Sequence, residues 1–143
     1  MENYTVLYVL IQLVHGGETM IILNPTDSRP LYEQITEKLK DLIIRGYLKE
    51  NDKVPSVREL ASRLAINPNT IQKSYKQLEL DGYIYARAGK GYFVKIHNQN
   101  DTRIPILTKQ VSDITRELYF LGLSKNELYE LIDEIYKGGK KHD

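Results

Sequence analysis

The chain contains no cysteine, which excludes disulfides, thiolate nucleophiles and cysteine-based metal sites and permits a reducing cytoplasm as its compartment. Histidine is scarce as well. His15, His97 and His142 are scattered without the spacing of a metal-ligand set. There is no phosphate loop, no dinucleotide fingerprint and no nucleophile–base pair, so the usual starting points for an enzyme or a bound cofactor are missing. Glu127, Glu130, Asp133 and Glu134 gather on one side of a helical segment, where solvation accounts for them better than catalysis. No hydrophobic run is long enough to span a bilayer: the most apolar stretch, residues 4–14, falls well short of the roughly 20 residues needed. Glu2 stands where a signal peptide has basic residues, and no small-residue cleavage site follows.

What is present suits an ordinary globular protein of one domain and a small extension: 143 residues, 41% hydrophobic and 27% charged. The net charge of +1 conceals a division. Residues 29–97 hold 13 Lys/Arg against 8 Asp/Glu, residues 101–143 hold 7 against 8, and residues 1–28 hold none against 3. Positive charge collects in the middle of the chain, as phosphate binding requires.

Residues 4–14 have strand composition, rich in β-branched and aromatic side chains. Gly16-Gly17-Glu18-Thr19 stands just before Met20, and the codons of two glycines and a glutamate can form a purine-rich ribosome-binding site. We therefore expect translation to start at Met20 and treat residues 1–20 as a doubtful extension. Ile21–Leu23 is an apolar lead-in, and Pro30 suits the first turn of a helix capped by Asp27 or Ser28. Leu31, Ile35, Leu39, Leu42 and Ile43 recur at helical spacing up to Gly46.

Ser56-Val-Arg-Glu59 reads as a capping box opening a second helix, with Leu60 and Leu64 inward and Ala61 small enough for a close helix crossing. Asn67-Pro68 opens a third helix whose buried stripe is Ile71, Tyr75 and Leu78 and which Asp81-Gly82 ends. Residues 83–86 and 92–96 have strand composition, joined by the basic, glycine-containing tip Arg87–Gly91. This predicts a winged helix-turn-helix over residues 21–97, mainly α with a small β wing. After a polar linker at 98–102, residues 103–137 carry two more helices. Leu107, Val111, Ile114, Leu118 and Leu121 alternate by four and three, a narrow seam suited to helix pairing. Gly122 breaks it, Ser124–Glu127 forms a second capping box, and Leu128, Leu131, Ile132 and Ile135 follow. Residues 138–143 form a flexible tail.

Several motifs in register resemble the GntR family of bacterial transcription regulators. They are Pro55-Ser56 with Arg58-Glu59-Leu60-Ala61, Asn67–Thr70, Asp81-Gly82-Tyr83-Ile84, and Gly89-x-Gly91-x-Phe93-Val94. Asn-Pro-Asn-Thr at 67–70 and the short C-terminal part are similar to the YtrA subgroup. The resemblance implies a recognition helix in the DNA major groove and a wing near the minor groove. It places Arg58 of the second helix, then Asn67, Asn69, Thr70, Gln72 and Lys73 of the recognition helix, and Gly89, Lys90 and Gly91 of the wing tip at DNA. Lys76 joins them by helical spacing, three residues beyond Lys73 on one face. Pro68 and Gln72 stand where many members carry arginine, so base readout here leans on amides, which suit adenine.

Each of these has a plainer alternative. Arg58 could pair with a surface carboxylate, Asn67 is a helix cap in any case, Thr70 and Gln72 could simply face solvent, and Lys90 could belong to an ordinary hairpin turn. Tyr32, Tyr75, Tyr83, Tyr85 and Tyr92 are read as packing. The expected whole is a cytoplasmic, homodimeric repressor on a two-fold symmetric double-stranded DNA operator, held together by the 103–137 helices and needing no metal or cofactor. The family resemblance adds an ABC transporter operon as the regulated target. A C-terminal part this short leaves little room for an enclosed effector pocket, so any small-molecule effector would act at the dimer interface. The rival reading is a winged-helix protein–protein adaptor.

Overall fold

The computed structural model describes residues 7–12, 18–24, 26–95 and 101–138, with backbone alone for 7–12 and 18–20. Outside these lie the three histidines, Gly16-Gly17, the ends of the apolar run 4–14, most of the linker 98–102 and tail residues 139–143. Two compact units divide at Ile96.

The first unit opens with antiparallel strands β1 (Leu7–Gln12) and β2 (Glu18–Leu23), paired from Leu7↔Leu23 to Gln12↔Glu18. The boundary expected after residue 20 thus falls inside a strand. Ile21–Leu23 is more than a lead-in, because alternation along β2 buries Ile21 and Leu23 in the core and leaves Ile22 outside. Helix α1 follows (Leu31–Ile44) and sends Ile35, Leu39 and Leu42 into the same core. Its start corrects the sequence reading. Pro30 itself is the N-cap, and neither Asp27 nor Ser28 caps the helix. Asp27 is taken up by Arg29: its carboxylate accepts from the Arg29 backbone N–H at 2.9 Å and from the guanidinium Nη2 at 2.6 Å, which holds it down at about 2. Buried Gln34 anchors the turn instead. Its Oε1 accepts from Asn24 N–H, and its Nε2 donates to the carbonyls of Asn24 and Arg29.

Helices α2 (Val57–Leu64) and α3 (Pro68–Leu80) form the helix-turn-helix. Leu60, Ala61 and Leu64 of α2 and Ile71, Tyr75 and Leu78 of α3 are buried, as their spacing predicts. Ala65 makes the turn in the left-handed region at φ 52°, a conformation that costs a non-glycine residue about 1–2 kcal/mol. Inside the core, the hydroxyls of Thr36 (α1) and Ser74 (α3) bond at 2.9 Å, and Thr36 also donates to the Tyr32 carbonyl. These bonds tie the third helix to the first. The hairpin β3 (Ile84–Arg87) and β4 (Gly91–Val94) completes the unit, and Lys53 pairs with Phe93 as a one-residue third strand. The fold is a winged helix: mainly helical, with a small antiparallel wing.

The second unit consists of α4 (Arg103–Phe120) and α5 (Lys125–Gly138). Gly122, at φ 92°, turns the chain between them. Both halves of the expected second capping box form: Glu127 N–H donates to Ser124 Oγ, and Glu127 Oε2 accepts from Ser124 N–H at 2.8 Å. No residue of either helix is buried. Leu118 and Leu128 are half-buried, whereas Leu107, Val111, Ile114, Leu121, Leu131, Ile132 and Ile135 are exposed, Leu121 by 71%. Among the described residues no helix is long and apolar enough to cross a membrane.

Candidate nucleic-acid interface

Three elements meet around Tyr75. Its ring is fully buried, its hydroxyl donates to the Pro55 carbonyl at 2.5 Å, and its ring packs edge-to-face with Tyr92 of β4 at 5.2 Å and 80°. One α3 side chain thereby locks the entry to α2 and the inner strand of the wing onto the third helix. Burial is the main force pushing the Tyr75 hydroxyl well above the ordinary tyrosine range, with Glu59 and Tyr92 adding to it. It stays neutral and serves as a donor.

From this hub the outer side chains are placed. Ser56 caps α2, its Oγ accepting from Glu59 N–H at 3.1 Å. The reciprocal half of this box is replaced: the Glu59 carboxylate binds Arg63 at 3.0 Å, one turn along the exposed face. Arg58 is exposed on the same first turn. Asn67 caps α3, its Oδ1 accepting from Asn69 N–H at 2.9 Å, with Pro68 in the first position. Asn69, Lys73 and Lys76 follow at i, i+4 and i+7 and form one exposed row on the face opposite the buried stripe. Thr70 is half-buried rather than open to solvent. At the wing tip Lys90 N–H donates to the Arg87 carbonyl, and Gly89 and Gly91 take φ 72° and 104°, a region that favours glycine. All three tip residues are exposed.

Among the described residues, cations without a carboxylate partner occur on this surface and also elsewhere, Lys38 and Lys125 included. Arg29, Arg45, Arg63, Arg103, Lys109, Arg116 and Lys137 each bind a carboxylate. Among the described residues Lys53, Arg58, Lys73, Lys76 and Lys90 bind none. The plainer reading of Arg58 as half of a surface ion pair therefore has no partner within the described residues.

Folding also brings in residues that sequence reasoning took for packing or passed over. The Lys73 ammonium lies 3.8 Å from the centroid of the Tyr32 ring, so α1 supports an exposed cation of α3. Gln72 Nε2 donates to the Tyr92 hydroxyl at 3.0 Å, which gives that tyrosine a polar task beside its ring contact. Lys53 lies against the wing: a Cβ on Gly91 would stand 3.4 Å from its Cε. The Arg87 guanidinium sits 5.2 Å from the Phe93 ring. Only strand alternation around residues 92–94 hints at any of this, because every contact but Arg87–Phe93 joins segments distant in sequence.

The comparisons with known proteins bear on family and fold. The family of bacterial regulatory proteins, gntR family, matches residues 31–94. The HTH-type transcriptional repressor YtrA of Bacillus subtilis is 37% identical over 87% of this chain and 100% of its own length. An HTH-type transcriptional regulator of the same organism, YhcF, is 33% identical over 78% of this chain and 94% of its own. Among solved structures, a transcriptional antiterminator from Listeria monocytogenes aligns with a TM-score of 0.64 at 33% identity, over 81% of this chain and 89% of that one. YtrA from Sulfolobus acidocaldarius, a GntR-family transcription factor, aligns with a TM-score of 0.52 at 34% identity, over 64% and 97%. With its winged helix matched to the family and the whole length of a 37% identical repressor covered, the chain belongs to the GntR family of transcription regulators, in its YtrA subgroup.

Proposed function

We propose that this regulator is a repressor that binds a two-fold symmetric DNA operator as a homodimer in the cytoplasm. The observation that carries the reading is the set of exposed cations Arg58, Lys73, Lys76 and Lys90 on α2, α3 and the wing, none of which has a carboxylate partner among the described residues. Such cations are free to replace counterions on phosphate. Arg58, Lys73 and Lys76 contact the backbone, and Lys90 approaches the minor groove between two glycines. Asn67, Asn69, Thr70 and Gln72 lie where α3 enters the major groove. One winged helix reads few bases, and two held by a dimer read a symmetric site. The exposed seam Leu107, Val111, Ile114, Leu118 and Leu121, with Leu128, Leu131, Ile132 and Ile135, supplies the dimer contact. Control of an ABC transporter operon is proposed from subgroup resemblance alone.

The test is fluorescence anisotropy of the full chain with DNA from upstream of its own gene, at two salt concentrations, with a scrambled duplex and the Arg58→Ala variant as controls. The expected result is binding that prefers the native duplex, weakens steeply with salt, and loses about one unit of salt slope in Arg58→Ala. Affinity that does not change with salt would overturn DNA binding and favour the protein–protein adaptor.

A further inference from the structure

We propose that Tyr92 of the wing is a positioning residue for sequence readout, holding the Gln72 amide in the orientation that recognises adenine. This builds on the operator-binding reading and adds a specificity device to it.

The geometry assigns the device step by step. Gln72 is exposed on α3 and would otherwise sample several rotamers. Its Nε2 donates one hydrogen to the Tyr92 hydroxyl at 3.0 Å. Tyr92 is well placed to act as a fixed acceptor, being held at two other points. Its carbonyl accepts from Val54 N–H at 2.9 Å, and its ring packs edge-to-face with Tyr75 at 5.2 Å. Tyr75 is itself immobilised by burial and by its bond to the Pro55 carbonyl.

With one N–H committed to Tyr92, the Gln72 amide keeps a second N–H and its carbonyl oxygen. That donor–acceptor pair matches the major-groove edge of adenine, where N7 accepts and N6–H donates. The wing thus does more than approach DNA: it prepares a side chain of the neighbouring helix before contact. Ordering a rotamer-rich side chain in advance strengthens the contact by about threefold to tenfold per half-site.

The test is in vitro selection from a duplex pool with a randomised central segment. The full chain is compared with Gln72→Ala, Tyr92→Phe, the double variant, and Tyr85→Phe. Tyr85 is the control because its hydroxyl bonds Asn51, so removing it strips a wing tyrosine hydroxyl without touching α3. Tyr92→Phe keeps the ring that packs on Tyr75. The expected result is an adenine preference that Gln72→Ala abolishes and Tyr92→Phe weakens at the same position. The double variant should lose no more than Gln72→Ala, and Tyr85→Phe should match the wild type. Unchanged preference in Tyr92→Phe, a change at some other position, an equal change in Tyr85→Phe, or no change in Gln72→Ala would each overturn the positioning role and leave operator binding intact. If the wild type enriches no sequence, operator binding itself fails, and this role with it.

Discussion

Replacing Tyr75 by phenylalanine removes one oxygen from the point where α2, α3 and the wing meet. The ring stays, so the buried volume and the edge contact with Tyr92 are retained. The bond to the Pro55 carbonyl is lost, and that half-buried carbonyl is left without this donor. A neutral hydrogen bond contributes about 0.5–1.5 kcal/mol net, and orphaning a partly covered acceptor adds a fraction of its roughly 1–3 kcal/mol desolvation cost. We expect Tyr75→Phe to destabilise the DNA-binding unit by about 1–2 kcal/mol, a fall in Tm of about 5–10 °C for a domain of this size. Circular dichroism melting at one fixed protein concentration measures it, since the proposed dimerisation would make Tm concentration-dependent. A second arm uses pH. The Tyr75 hydroxyl is pushed above its ordinary 10.0, chiefly by burial, so the unfolded chain ionises first. The stabilisation is complete below about pH 10 and is lost as pH rises beyond it. The wild type's advantage over Tyr75→Phe at about pH 8 should therefore shrink at about pH 11. Equal melting at the lower pH, or an advantage that holds or grows at the higher one, would refute the reasoning.

Three further substitutions probe other links. Ala65→Gly relieves the left-handed turn of the helix-turn-helix and should raise stability by about 0.5–1 kcal/mol in urea unfolding, whereas a lower midpoint would show that the turn is not strained. Ser56→Ala removes the α2 cap and should cost about 1 kcal/mol by the same measurement, and no loss would mean that the backbone N–H finds another acceptor. Leu118→Glu puts a charge into the proposed seam, and analytical ultracentrifugation should then find monomers; a persisting dimer would remove α4 from the interface.

Local signals made much of this protein legible in its sequence, because caps, turns and helical periodicity act over a few residues. The Asn67-Pro68 start of α3, the buried stripe Ile71, Tyr75 and Leu78, the Gly82 and Gly122 stops, and the hairpin tip follow from side-chain chemistry within one or two turns. Local chemistry also misled. Asp27 and Ser28 have the composition of caps, yet Asp27 is bound by Arg29, and Glu59 pairs with Arg63 in place of closing its box. Two or more acceptable local partners competed there, and composition does not choose between them.

The family and its winged-helix fold were contained in the sequence, since motifs in register specify the elements and their order. Tertiary structure alone decided the surroundings of the proposed reading surface. Lys73 rests on Tyr32 across 41 positions, Gln72 on Tyr92 across 20, and Lys53 against Gly91 across 38. Contacts at such separations depend on how helices and strands are packed in space, and no pattern along one segment encodes which side chain of another it will meet.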